Sequence, residues 1–141
     1  MRAVMDDIEA IKQLKARSCR TMDTKDWSAM RRLFTDDVEV DTTASGGSVV
    51  TGADTFMAFL LEAIGDVVTV HHCHQPEIQV DSATAASGVW AMEDMLRWPD
   101  GTELHGYGHY HERYEKVDGG WRISRSVLTR LRMDLTPAAT T

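Results

Sequence analysis

The side chains best suited to proton transfer fall in two histidine clusters. His71, His72 and His74 lie in V-V-T-V-H-H-C-H (67–74), and His105, His109 and His111 in L-H-G-Y-G-H-Y-H (104–111). An imidazole titrates near neutrality and can both take and return a proton. The first run is dense in β-branched residues, so it reads as a strand whose alternate side chains point to opposite faces. Val68, Val70, His72 and His74 then share one face, and Thr69, His71 and Cys73 the other. With the valines turned inward, His72 enters the interior as the candidate base. The competing reading makes His72 a hydrogen-bonded core residue and leaves His71 and His74 wet.

Other groups could complete such a site. In 84–98 the even positions Gly88, Trp90, Met92, Asp94, Leu96 and Trp98 form one face, apolar except for Asp94. A lone acid there needs a partner or a raised pKa, and either marks a site. In 103–117 the even set (Gly106, Gly108, Tyr110, Glu112, Tyr114) is expected inside and the odd set (His105, Tyr107, His109, His111, Arg113) outside. Glycines make room and a tyrosine brings a hydroxyl into apolar space, so Tyr110 can polarise a carbonyl. Arg130 can hold an anionic oxygen in a two-pronged grip. Phe56, Trp90 and Met92 are expected to shape an apolar pocket. Asp23 closes the first helix and either caps the second or points into the pocket. Metal is the alternative chemistry, with His72-x-His74 or His109-x-His111 completed by Asp94. Cys73 faces away from His72, which argues against a thiolate–imidazole couple.

The elements that must position these residues follow from periodicity. Ile8, Ile11, Lys15, Cys19 and Met22 form a helical stripe over 6–22, with Asp6 and Asp7 suited to its positive end. A second helix is expected over 25–34 and a short strand over 38–41. A turn at 42–48 leads to a brief return strand at 49–50. Residues 55–64 are apolar almost all round, which predicts a buried third helix. Four long strands follow: 67–80, bent at Gln75-Pro76, then 84–98, 103–117 and 121–133, with a frayed tail from about 135. Helices first and a meander after them give an α+β domain spanning 1–141.

Composition narrows the partners. The chain has 43% hydrophobic and 26% charged residues, which is globular rather than disordered. Its 22 acidic against 15 basic residues, without a basic cluster, disfavour nucleic acid and anionic membranes. Two cysteines without C-x-x-C spacing give no disulfide framework, and no signal-like segment opens the sequence. A reduced, cytoplasmic protein is expected. The outer face of a sheet covered on one side should be partly apolar, predicting a homodimer near His105, His109 or His111.

Two segments resemble a known family. M-D-T-K-D-W (22–27) is similar to the helix joint of scytalone dehydratase and SnoaL-like proteins, and Y-E-K-V-D-G-G-W-R-I (114–123) to their sheet hairpin. The element order resembles the nuclear transport factor 2-like superfamily over roughly the whole chain. The resemblance implies a cone: a curved, mixed, mainly antiparallel sheet wrapped by three N-terminal helices around a pocket. It implies His72 as base and Asp23 as its partner. Two carbonyl-polarising tyrosines of the dehydratase fall at Met22 and Thr42, and its second pocket histidine near Val89 or Trp90, so those devices are missing. The implied function is a lyase or isomerase without cofactor or metal, acting on a small hydrophobic cyclic carbonyl compound. The competing classes are a non-catalytic small-molecule binder and an accessory subunit of a ring-hydroxylating oxygenase.

Overall fold

The structure, a computed structural model, describes residues 2–140. Helix α1 (Arg2–Asp23) buries the expected stripe: Ile11, Lys15, Cys19 and Met22 are inside, joined by Leu14, Ser18 and Thr21. It starts at Arg2, so Asp6 and Asp7 lie past the first turn and do not meet its positive end. Asp7 instead accepts from Trp121 Nε1 at 2.9 Å and Lys116 Nζ at 3.2 Å. Helix α2 is only Trp27–Arg31. Lys25, at φ 61°, breaks the helical run before it, and Asp26 caps it by accepting from Ala29 N at 3.2 Å. Capping therefore makes no demand on Asp23. After α2 the chain is drawn into the sheet, because Ile123 N donates to Leu33 O at 2.8 Å.

Strand β1 (Phe34–Asp41) thus begins earlier than the sequence suggests, with Phe34 and Thr35 buried in it. Through a turn at Thr43–Ser45 it pairs with β2 (Val49–Thr51). Helix α3 (Ala53–Ile64) buries one face, Ala53, Phe56 and Leu60, and leaves Leu61 57% exposed. The all-round burial expected of it does not occur. It lies over β1 with one side only, and Phe56 meets Phe34 edge to face at 5.3 Å.

The long strands are β3 (Val68–Val80), β4 (Ala85–Arg97), β5 (Glu103–Val117) and β6 (Gly120–Thr136). They form one six-stranded sheet in the order β2-β1-β6-β5-β4-β3, in which β1 and β6 run parallel and every other pair antiparallel. This is the expected α+β arrangement. The frayed tail starts later than about 135, since Leu135 and Thr136 still pair with Leu104 and Glu103; Thr141, its last residue, lies outside the described residues. The bend in β3 falls as expected at Gln75, with φ 41° and a register shift between His74 and Glu77. A bulge inserts one residue and reverses which parity faces in. Ile78 and Val80 pack inward beyond it, while Val67, Thr69, His71 and Cys73 face inward before it.

Candidate active site

The phase of β3 decides the site, and it is opposite to the one expected. The His72 side chain is 61% exposed and lies 3.7 Å from Glu93 on the outer face; His74 shares that glutamate at 3.5 Å. His71 is the buried imidazole, 8% exposed. The valine pattern misleads because Val67 and Val68 are adjacent, so one β-branched residue faces each way; Val68 is 59% exposed and Val67 2%.

Asp23, at the end of α1, meets His71 across the α1–β3 seam. Its Oδ1 lies 2.7 Å from His71 Nδ1, and Oδ2 accepts from the His71 backbone N at 2.8 Å. Thr69 Oγ1 donates to the same carboxylate at 2.9 Å and accepts from Lys25 Nζ at 2.8 Å. A carboxylate only accepts, so a ring hydrogen sits on Nδ1, and in the neutral ring Nε2 then carries the lone pair. Burial pulls the Lys25 ammonium below the usual lysine range, against Asp23, which raises it. Asp23 thus meets His71 and not His72.

Asp94 lies opposite His71 in the β3–β4 register, with Oδ2 3.9 Å from His71 Nε2. The lone acid on the apolar face has a partner: Arg130 grips it through Nη1 at 2.8 Å and Nη2 at 2.9 Å, and both side chains are buried. Arg130 is thus committed to Asp94, with Nε donating to Ser45 Oγ at 2.8 Å, and is not a free anchor for a substrate anion. Gly106 stands between the two on β5, where a Cβ would overlap both Arg130 Nη1 and Asp94 Oδ1. The glycine there is required by the ion pair that crosses it.

An apolar cavity of about 120 Å³ opens beside these groups, lined by Met30, Phe34, Phe56, Leu60, Ile64 and Leu128, with His71, Asp94 and Tyr110 on its wall. Met22 and Thr42, where the resemblance places two tyrosines, also line it. Burial pushes the Tyr110 hydroxyl well above the ordinary tyrosine range, so it stays a donor. Phe56 and Tyr110 are where the sequence puts them. Trp90 and Met92 are buried on the expected face but do not line this cavity. Trp90 Nε1 donates to Tyr114 OH at 2.9 Å, and Met92 Sδ receives Arg130 Nη1 at 3.7 Å. A larger hollow, about 540 Å³, lies on the outer sheet face among charged residues such as Glu77, Arg113 and Arg125, away from the His71–Asp23 pair.

Sequence reasoning missed the polar floor. Lys15 Nζ meets Glu112 Oε2 at 2.9 Å, with both side chains almost fully buried. Ser126 and Tyr114 donate to the same glutamate at 2.8 and 3.0 Å. Burial drives the Lys15 ammonium down, but Glu112 and the two cysteine sulfurs outweigh it and hold it above the usual lysine range. Lys15 also lies 3.8 Å from the centre of the Tyr110 ring. A lysine inside a helical stripe, with a glutamate on the inward parity of 103–117, was the available signal. The alternative metal sets do not assemble, because His72 and His74 face outward while Asp94 faces in. Among the described residues no three His, Cys, Asp or Glu side chains are placed to hold a metal ion, and no helix is long and apolar enough to cross a membrane.

Comparison with known proteins agrees with this architecture. Residues 3–127 match the family model described as a SnoaL-like domain. A candidate scytalone dehydratase from Novosphingobium aromaticivorans superposes with a TM-score of 0.86 at 24% identity, covering 94% of this chain and 89% of its own. A candidate aromatic ring hydroxylase from the same organism gives 0.88 at 21% identity, covering 94% of each chain. The hexachlorocyclohexane dehydrochlorinase LinA-type3 from Novosphingobium barchaimii gives 0.84 at 15% identity, covering 99% and 96%. At these identities the likeness is one of fold.

Proposed function

The chain belongs to the SnoaL-like domain family, and from that premise we propose that it is a lyase or isomerase, working without a cofactor, in which His71 moves a proton on a small cyclic carbonyl compound. The observation that carries this reading is the 2.7 Å contact between His71 Nδ1 and Asp23, which leaves Nε2 as the basic nitrogen in the wall of an apolar cavity. Nε2 takes a proton from the carbon next to the carbonyl. The C–H electron pair enters the ring as an enolate, and the imidazolium is stabilised by Asp23 on one side and Asp94 on the other. Tyr110 donates to the enolate oxygen. The electron pair then returns by expelling a β-substituent, which is elimination, or by taking the proton back at the γ-carbon, which is isomerisation. The cavity is close in size to engineered apolar cavities of about 150 Å³ that accept benzene, so a single six-membered ring is the natural fit.

Cyclohex-3-enone tests the reading, because removal of its proton between the carbonyl and the double bond gives the conjugated enone, which absorbs in the ultraviolet. The expected result is conjugation above the buffer rate, with solvent deuterium appearing in the product. A probe that binds in the cavity by protein NMR but neither conjugates nor exchanges would make the protein a binding module and overturn the assignment. We also propose a homodimer through the outer sheet face. Support comes from Tyr107 and Leu131, which remain exposed where β5 and β6 shift register, beside His105 and His109 on the outward parity of β5.

A further inference from the structure

On the other side of His71 from the apolar cavity lies a second cleft, about 330 Å³, lined by Lys12, Lys15, Cys19, Arg20, Cys73 and Trp90 among others. Cys19 on α1 and Cys73 on β3 face each other across it, with their sulfurs 3.4 Å apart and both thiols free. The proposed acid–base chemistry uses neither. From this geometry we propose that Cys19 and Cys73 are a peroxide-reactive dithiol that closes into an intramolecular disulfide across the α1–β3 seam.

A disulfide needs its sulfurs at about 2.05 Å, so small side-chain rotations suffice and no element has to move far. The two thiols are unequal. Cys19 is held below the ordinary thiol range, first by the hydrogen bond from Cys73 and, against the opposing effect of burial, by the Lys15 ammonium. Cys73 is pushed far up by that same hydrogen bond and by burial. Lys15 lies one helical turn from Cys19 on the same buried face of α1, which favours Cys19 as the thiolate and Cys73 as the thiol that resolves it. The Cys19 sulfur attacks one peroxide oxygen, the O–O bond breaks, and the departing oxygen takes up a proton to leave as water or an alcohol. Cys73 then loses its proton and attacks the sulfenic sulfur, and the hydroxyl leaves as water. Two thiols are oxidised and one peroxide is reduced.

The bond would tie the last turns of α1, one turn before Asp23, to the inward-facing residue that follows His71 on β3. Its formation rests on the cysteine geometry alone, so it stands or falls separately from the reading of His71 as a base. The test is to treat the reduced full-length chain with a small excess of hydrogen peroxide, block with N-ethylmaleimide and map the peptides by mass spectrometry. The expected result is a peptide joining Cys19 to Cys73 within one chain, lost on reduction with dithiothreitol. Peroxide with dimedone should label Cys19 in Cys73→Ser and leave Cys73 unlabelled in Cys19→Ser. Two maleimide-labelled thiols after peroxide, sulfinic acid without a linked peptide, or pairing only between chains would each overturn the proposal. Should a serine variant fail to melt cooperatively, the wild-type peptide map decides alone.

Discussion

At the scale of single residues, the choice between two adjacent histidines is the choice between a site and a surface. His71 and His72 have the same chemistry, but one is 8% and the other 61% exposed. If the proposed base is right, His71→Ala should lower cyclohex-3-enone conjugation on the order of a hundredfold or more, to the buffer rate. His72→Ala should leave it within about twofold, since an exposed side chain away from the cavity contributes little. Asp23→Asn keeps the volume but removes the acceptor that fixes the hydrogen on Nδ1, so it should slow turnover without unfolding the chain. Added to His71→Ala it should cost little more, because two groups acting as one unit are lost together. Rates and melting temperatures on these four proteins check the claim. A His71→Ala variant that melts early yet retains its activity would return the residue to the core.

Between elements, buried charge does what apolar contact cannot: it fixes which groups meet. Lys15 on α1 and Glu112 on β5 are paired out of water. Removing one leaves the other uncompensated, at a cost of about 3–5 kcal/mol. Lys15→Met or Glu112→Gln alone should therefore lower the melting temperature on the order of 10 °C, whereas the double variant should lose less than either single one. Calorimetry on the three variants reads this directly. A second tie joins α1 to the β5–β6 hairpin. The Trp121 indole, with the Lys116 ammonium, holds the Asp7 carboxyl below its ordinary range, against the opposing effect of desolvation. A depressed folded pKa stabilises the fold above the unfolded value, near ~3.9, and the contribution is lost as pH falls through the folded value. Asp7→Asn should thus be less stable than wild type at neutral pH in urea titrations, with the gap narrowing below about pH 4.

For the whole molecule, the helices cover one face of the sheet and leave the other to solvent. Exposed apolar side chains there, Leu131 at 76% and Tyr107 at 39%, form the sort of surface that pairs with its own copy. Light scattering at tens of micromolar, an order-of-magnitude working range, should give the mass of a dimer, and replacing Leu131 with Asp should shift it to a monomer. A monomeric wild type at that concentration would end the proposal.

The amino-acid sequence by itself determined the kind of fold and most of the elements. The stripe on α1, the inward parity of β4 and β5 and the turn residues are all local signals, and local signals fix what lies on which side of one element. They also brought Asp23, Asp94, Tyr110 and Phe56 into view as candidates. Only the tertiary structure decided which of two neighbouring histidines meets Asp23. Strand phase has just two values, β-branched residues at Val67 and Val68 support both, and the bulge at Gln75 reverses the parity that Ile78 and Val80 announce. Likewise Arg130 reads as a free cation until the fold brings Asp94 within 2.8 Å of it across Gly106. The short α2 and early β1 have the same origin: residues of good helical spacing are claimed by parallel pairing with β6, a contact about ninety residues away in sequence that no local pattern can register.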